Sequence, residues 1–214
     1  MPTPDMALAV RKITAASSRR IAQAAFELAK TRRQKVTAVH KANVMKVSDA
    51  LFLREVRAVA KDYPEIAYEE QLVDSMAALL VRDAARFDVV VTTNMFGDIL
   101  SDEAAELSGS LGLGGSINAG DTHCMAQAQH GSAPDIAGQD KANPASLILS
   151  SAMLLGWLAR KHGDAKFASA AELLEESLDA LLQDATRRTA DLGGKLGTLA
   201  FTQALLEEIS RRAP

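Results

Sequence analysis

The sequence predicts an α/β architecture, on three observations. Up to about residue 110, short β-branched runs alternate with amphipathic helical patterns. The run Phe87-Asp88-Val89-Val90-Val91 is apolar almost throughout, as in a buried strand, and it hands over directly to a helical pattern. Beyond a glycine-rich segment, Gly109 to Gly120, the remaining periodic stretches are all helical.

Taken in order, Thr14 to Arg33 sets Ile21, Ala24, Ala25 and Leu28 on one face behind serine and threonine caps, which makes a helix. Lys35 to Val39 is strand-like. Ser48 to Asp62 is helical, with Leu51, Phe52, Val56 and Val59 inward, and it stops before Pro64 because a residue preceding proline is pushed out of the helical region. Ile66 to Val73 reads as a strand, Ser75 to Arg82 as a helix, Phe87 to Thr92 as a strand and Gly97 to Leu107 as a helix. Helical patterns then cover Pro144 to Lys161, Ala168 to Arg188 and Thr198 to Arg212. Asn143-Pro144 opens the first of these, with Asn as N-cap and Pro at the first helical position. Trp157 and the leucines Leu173, Leu174, Leu178, Leu181 and Leu182 read as core.

Composition narrows the class. The chain has 214 residues, 48% of them apolar, enough for one large domain or two modest ones. A net charge of −3 carries no basic footprint for nucleic acid. The single cysteine, Cys124, cannot form an internal disulfide and suits a reducing cytoplasm. Met1-Pro2-Thr3-Pro4-Asp5 lacks the charged and apolar regions of a signal peptide, and no apolar run approaches the ~20 residues that span a bilayer.

Three runs carry chemistry. In Asn94-Met95-Phe96-Gly97-Asp98-Ile99-Leu100-Ser101-Asp102, the carboxylates of Asp98 and Asp102 are four residues apart, on one face of the helix. Like charges at that spacing repel unless something cationic lies between them, and a hard divalent cation such as Mg²⁺ or Mn²⁺ would supply it. Taken alone, such a pair is more often a solvated helix face. The second run, His130 to Pro144, has little periodicity and much turn chemistry, so it is a loop with specific backbone demands. The third, Val39-His40-Lys41-Ala42-Asn43-Val44-Met45-Lys46, ends a strand in polar residues. Loops at strand ends together with a long polar loop suggest a cleft.

These runs resemble the β-decarboxylating dehydrogenases, the family of isocitrate, 3-isopropylmalate, homoisocitrate and tartrate dehydrogenases. Asn94 to Gly112 looks like the family's signature, His130 to Asn143 like its adenosine-binding loop and His40 to Lys46 like its catalytic-lysine strand. Glu70 to Ser75 and Thr189 to Gly194 agree as well. The resemblance runs from about Arg11 to the end, yet corresponds only to the C-terminal three-fifths of a typical member. It implies an isopropylmalate dehydrogenase-like α/β fold, with residues 1–110 as the small, dimer-forming domain and residues 111–214 as the C-terminal portion of the large cofactor-binding domain.

By the same resemblance, the activity is oxidation of a 2-hydroxy acid by NAD followed by decarboxylation. Asp98 and Asp102 match two ligands of a Mg²⁺ or Mn²⁺ ion, and Asp74 matches a third that comes from the partner subunit. Lys41 matches the lysine that assists removal of the hydroxyl proton, and Asn43 a residue near the nicotinamide and substrate. His40 is expected to be structural. His130 matches a residue against the adenine, with Gly131, Ser132 and Ala133 shaping the backbone around it, and Asn143 matches an adenine contact. Asp135 and Ile136 bear on cofactor choice: a carboxylate accepts hydrogen bonds from ribose hydroxyls and repels a 2′-phosphate, favouring NAD over NADP.

The departures weigh on function. The family's substrate-binding arginines and catalytic tyrosine lie ahead of the matched part, and neither Tyr63 nor Tyr68 sits at the matching place. Gly114-Gly115-Ser116-Ile117-Asn118 replaces a segment that usually contains proline, and two adjacent glycines predict a loosened chain near the cofactor. Two readings follow. One is a dehydrogenase portion, acting as a homodimer or with a chain that supplies the N-terminal part; the other is a non-catalytic dimerisation or regulatory partner of a full-length relative.

Overall fold

Hydrogen bonding along Lys35–His40 (β1) organises the first half of the chain: β1 pairs in parallel with Ala67–Leu72 (β2) on one side and with Val89–Thr92 (β3) on the other. This is a computed structural model, and it describes residues 3–213; the part of the N-terminal reading that falls on Met1 and Pro2 lies outside them. The chain divides into two compact units, Met1–Glu103 and Ala104–Pro214.

In the first unit, β1 is central and its four middle residues, Val36 to Val39, are buried, as a strand covered on both faces must be. Ala15–Lys30 (α1) begins at Thr14, whose Oγ1 accepts the Ser17 N–H and satisfies one of the free donors of the first turn. Its buried face differs from the one expected. Ser18, Ala22, Ala25, Phe26 and Ala29 turn inward, while Ile21 and Leu28 are about half exposed. The reason is Phe26, the largest side chain of the helix, which is fully buried and stacks on Tyr63 at 5.2 Å between ring centroids. Orienting the helix around that ring leaves the two branched aliphatics on the outer side. Ser48–Ala60 (α2) packs on α1 through Phe52, Val56 and Val59. Val73–Asp83 (α3) and Asn94–Leu107 (α4) follow β2 and β3 directly, and Phe96 and Leu100 are buried on α4.

The second unit contains an element that the sequence hid. Gly115–Ala119 (β4) and Cys124–Ala128 (β5) form an antiparallel hairpin over the segment expected to be loose. The hairpin lies against Ala145–His162 (α5). A Cβ at Gly115 would stand 3.1 Å from Leu149 Cβ and 2.9 Å from Met153 Sδ, so glycine here permits close approach of strand to helix. Two fully buried serines one helical turn apart fasten the contact. Ser150 Oγ accepts the Ser116 N–H at 2.9 Å and donates to Gln127 O at 2.7 Å. Ser146 Oγ accepts the Gln129 N–H at 3.1 Å and donates to Gly114 O.

Ala165–Gln183 (α6) and Thr198–Arg212 (α7) complete this unit, with Leu178, Leu181, Phe201 and Leu205 at its core beside Ala145. The helix α6 ends five residues earlier than its leucine pattern suggests, because Asp184 leaves helical geometry and its Oδ1 accepts the Thr186 N–H to start a separate 3₁₀ turn. Trp157, Leu173, Leu174 and Leu182 are half-buried rather than core. Among the described residues no helix is long and apolar enough to cross a membrane.

Replacing Ser150 by Ala strips two part-buried backbone groups, the Ser116 N–H and the Gln127 carbonyl, of a partner and should lower the unfolding free energy by roughly 1 kcal/mol. Ser151 is half-buried and bonds within its own helix, to Leu147 O, so Ser151→Ala strips no hairpin group of a partner and should stay within about 0.5 kcal/mol. Urea unfolding of both variants checks the contrast.

Candidate functional site

The register of the first unit's sheet determines which side chains meet at its carboxyl edge. His40 is opposite Leu72, so Lys41 and Asp74 both leave the sheet at that edge. There Lys41 Nζ donates to Asp74 Oδ1 at 2.7 Å. Asp74 is exposed and in the first turn of α3. Lys41, aided by the backbone N–H groups of Asp74 and Ser75, holds its carboxyl below the usual carboxylate range.

The backbone beneath Lys41 is fixed by Asp49, a fully buried carboxylate to which sequence gave no role. Its Oδ2 accepts the Lys41 N–H at 2.7 Å, and its Oδ1 lies 3.3 Å from the Arg11 guanidinium. Arg11 also donates to Met45 Sδ and Thr93 Oγ1 and lies 5.0 Å over the Phe96 ring. One guanidinium therefore ties the lysine loop to the start of α4. The available signal was an aspartate in the first turn of α2, which resembles an ordinary helix-start charge.

The Lys41 carbonyl accepts the N–H groups of Val44 and Met45, closing a tight turn on which Asn43 is exposed. His40 has the structural place expected of it: its Nδ1 accepts the Ala42 N–H at 3.0 Å, which puts the ring proton on Nε2. Burial pushes its imidazole pKa down, against the opposing pull of Glu70 and Asp49 and with that of Arg57.

Because Phe96 and Leu100 face inward, α4 turns Asp98 and Asp102 outward, and both are exposed. Met95 and Ile99 share that outer side and are 52% and 61% exposed. Among the described residues, no three His, Cys, Asp or Glu side chains gather as a metal-holding group. Asp74 is engaged by Lys41 instead.

In the second unit, the loop from His130 to Asn143 has an exposed crest and firmly held ends. Gly131, Ser132, Ala133 and Asp135 are exposed, and His130 and Ile136 are half-buried. His130 Nδ1 is 2.8 Å from Gly131 O. Ala133 adopts a left-handed φ of 43° to start the 3₁₀ turn Pro134–Ile136. Asn143 is buried, and its Oδ1 accepts the Ala145 N–H at 3.0 Å, so it caps α5 from one residue further back than expected. Asp140 ties the loop to the start of α7, with Oδ1 accepting the Leu199 N–H at 2.8 Å and its carbonyl the Thr198 N–H at 3.2 Å.

Asp191 is the second carboxylate that sequence left without a role, although it lies in the Thr189 to Gly194 run. Its Oδ2 accepts from Ser110 Oγ at 2.6 Å and from Asn143 Nδ2 at 3.0 Å, and its Oδ1 accepts from Thr189 Oγ1 at 2.6 Å. Burial alone would raise its pKa, but these three donors outweigh burial and leave it lowered.

A family model described as isocitrate/isopropylmalate dehydrogenase matches residues 2–209. The chain belongs to the isocitrate/isopropylmalate dehydrogenase family. It is 48% identical over 198 residues to 3-isopropylmalate dehydrogenase of Archaeoglobus fulgidus, covering 92% of this chain and 58% of that protein. To the mitochondrial NAD isocitrate dehydrogenase catalytic subunit 5 of Arabidopsis thaliana it is 46% identical, covering 92% of this chain and 51% of the relative. The crystal structure of isocitrate dehydrogenase from Methylococcus capsulatus superimposes with a TM-score of 0.86 at 39% identity, over 94% of this chain and 58% of that one. The chain thus spans somewhat over half the length of the dehydrogenases it matches, and shares their fold.

Within this family fold, both tyrosines serve packing. Burial and a hydrogen bond to Glu27 push the Tyr63 phenol up to about 12. Burial likewise raises that of Tyr68, which donates to Glu70. Cys124 is half-buried, and burial raises its thiol pKa, as for an unreactive cysteine.

A histidine whose folded pKa lies below 6.5 binds more protons when unfolded, so stability falls as pH drops through that value. His40→Asn keeps an acceptor for the Ala42 N–H and cannot titrate. Wild-type protein should therefore lose stability relative to His40→Asn on acidification from pH 7.5 to about 5.5, measured by urea unfolding across that range.

Proposed function

We propose that the chain takes part in NAD- and Mg²⁺- or Mn²⁺-dependent oxidative decarboxylation of a 2-hydroxy acid, through a site shared between two copies and completed by the portion of the relatives' length it does not span. The observation that carries this reading is the pairing of Lys41 Nζ with Asp74 on one side of the chemistry and the exposed Asp98/Asp102 pair on the other. Two carboxylates a helical turn apart suit a hard cation, and a third from another copy would complete an all-oxygen set. The exposed Met95 and Ile99 beside them provide apolar surface for that second copy to cover.

When bound, the cation would polarise the substrate oxygen and stabilise negative charge as carbon dioxide leaves, and NAD would supply the hydride acceptor. The protein's own side chains do the rest. Asp74, Asp98 and Asp102 would hold the metal. Lys41 would assist removal of the proton of the substrate hydroxyl, general acid–base help of a kind worth ~10²–10⁴ in rate, and Asp49 fixes the backbone from which it reaches. Asn43, exposed on the turn after Lys41, would meet the nicotinamide and substrate. In the second unit His130, Gly131, Ser132, Ala133 and Asn143 form the adenosine site, with Asp135 and Ile136 selecting the unphosphorylated ribose of NAD.

Calorimetric titration with Mn²⁺ tests the shared site without requiring turnover. Wild-type protein should bind one ion per chain, and Asp98→Asn and Asp74→Asn should each abolish binding. An equimolar, re-equilibrated mixture of the two variants should regain about one quarter of the sites, because half of randomly formed twofold dimers are mixed and each has one intact set. Mixtures as inactive as either variant would rule out a set shared between copies. NADH production with isocitrate, 3-isopropylmalate, homoisocitrate and tartrate then names the substrate; no turnover by metal-loaded, folded protein would favour a fragment or partner role.

A further inference from the structure

Asn143 is one of the residues proposed to meet the adenine, yet both ends of its amide are already occupied within the fold. Oδ1 faces the Ala145 N–H, and Nδ2 donates to Asp191. An amide can occupy its site in two flipped orientations, and the carboxylate selects one because only a donor can face it. The same oxygen of Asp191 accepts from Ser110 Oγ, which in turn accepts the Gly112 N–H at 3.0 Å. Gly112 is pressed against Asn143: a Cβ there would lie 2.9 Å from Asn143 Cβ. A single carboxylate oxygen therefore orients Asn143 and holds the turn packed against it. Asp191 also borders an open cavity of about 410 Å³ lined by Leu113, Leu182, Arg188 and Leu192.

We propose that Asp191 is a positioning residue for the adenosine half of the cofactor, acting through Asn143 and the Ser110–Gly112 turn rather than by touching the nucleotide. The inference rests on the cofactor reading given above. It differs from a charge effect in what it demands of residue 191. Positioning needs an acceptor oxygen where Oδ2 stands, and an asparagine supplies one. Its amide oxygen can face Ser110 and Asn143 while its NH₂ faces Thr189 Oγ1, a hydroxyl that rotates to accept. A carboxylate acting on the nucleotide through its charge could not be replaced in this way.

The test is calorimetric titration with AMP and with NAD, on samples shown by circular dichroism to be folded. Asp191→Ala should weaken both ligands by about tenfold or more, the loss that follows from freeing an oriented polar group, and Asp191→Asn should restore both to within about threefold. Thr189→Val removes only the bond to Oδ1; it should lower the melting temperature while leaving AMP affinity unchanged. Equal losses in Asp191→Ala and Asp191→Asn would overturn positioning in favour of direct use of the charge. Unchanged affinity in Asp191→Ala would overturn any role. Wild-type protein that binds neither AMP nor NAD would remove the cofactor reading, and this inference with it.

Discussion

Parallel pairing of β1 with a strand on either side is the constraint on which the first unit's chemistry depends. Parallel strands send all their carboxyl ends to one edge, so Lys41 after β1, Asp74 after β2 and the start of α4 after β3 emerge together. Side chains alternate along a strand, so a slip of one residue would turn every side chain of β1 to the opposite face. Val36 to Val39 resist such a slip because they are buried. The core therefore does more than stabilise the sheet: it sets the register, and the register brings Lys41 Nζ within hydrogen-bonding distance of Asp74.

Each unit then uses a carboxylate beneath a loop to give that loop one conformation. Asp49 is fully buried and joined to a backbone N–H and a guanidinium; Asp191 is an exposed residue whose carboxylate is joined to two hydroxyls and an amide. A buried charge without partners is costly by several kcal/mol, and removing one partner of a buried pair typically costs ~3–5 kcal/mol. Alternative conformations of the lysine loop that strip the buried Asp49 of its partners are disfavoured accordingly. Asp140 does the same from within its loop, by capping α7. The polar loops thus gain definition from anchors placed away from their exposed crests.

Much of this was legible in sequence where one period or one terminus dominates. The apolar run at Val89 to Val91, the Thr14 cap and the proline after α2 all mark real boundaries. Failures arose where tertiary contacts choose between locally equal options. Ile21 and Leu28 lie on an apolar stripe as good as that of Phe26, and only the buried ring against Tyr63 decides which side faces in. The β4–β5 hairpin carries Gly114 and Gly115, which read as looseness, whereas Gly115 serves contact with Leu149 and the serines that clip the strands look like unremarkable helix residues. Of the candidate site, the residue types were readable from the motif runs, but Asp49 and Asp191 were not, because their partners lie far away or in another loop. Arg11 is 38 residues from Asp49, and Ser110 is 81 from Asp191.

The outer face of α4 carries features that local stability does not call for. Asp98 and Asp102 repel at a spacing where opposite charges would help, at a cost of a few tenths of a kcal/mol. Met95 and Ile99 leave apolar surface in water beside them, at about 25 cal/mol for each Å² that could be buried. Neither feature is needed by the inner face, which Phe96 and Leu100 already fill. The two penalties call for opposite remedies, a cation for the carboxylates and a dry surface for the aliphatics. A second copy that covered Met95 and Ile99 while contributing Asp74 and Lys41 would provide both. It would lower the local dielectric around the metal and so strengthen each carboxylate's hold on it.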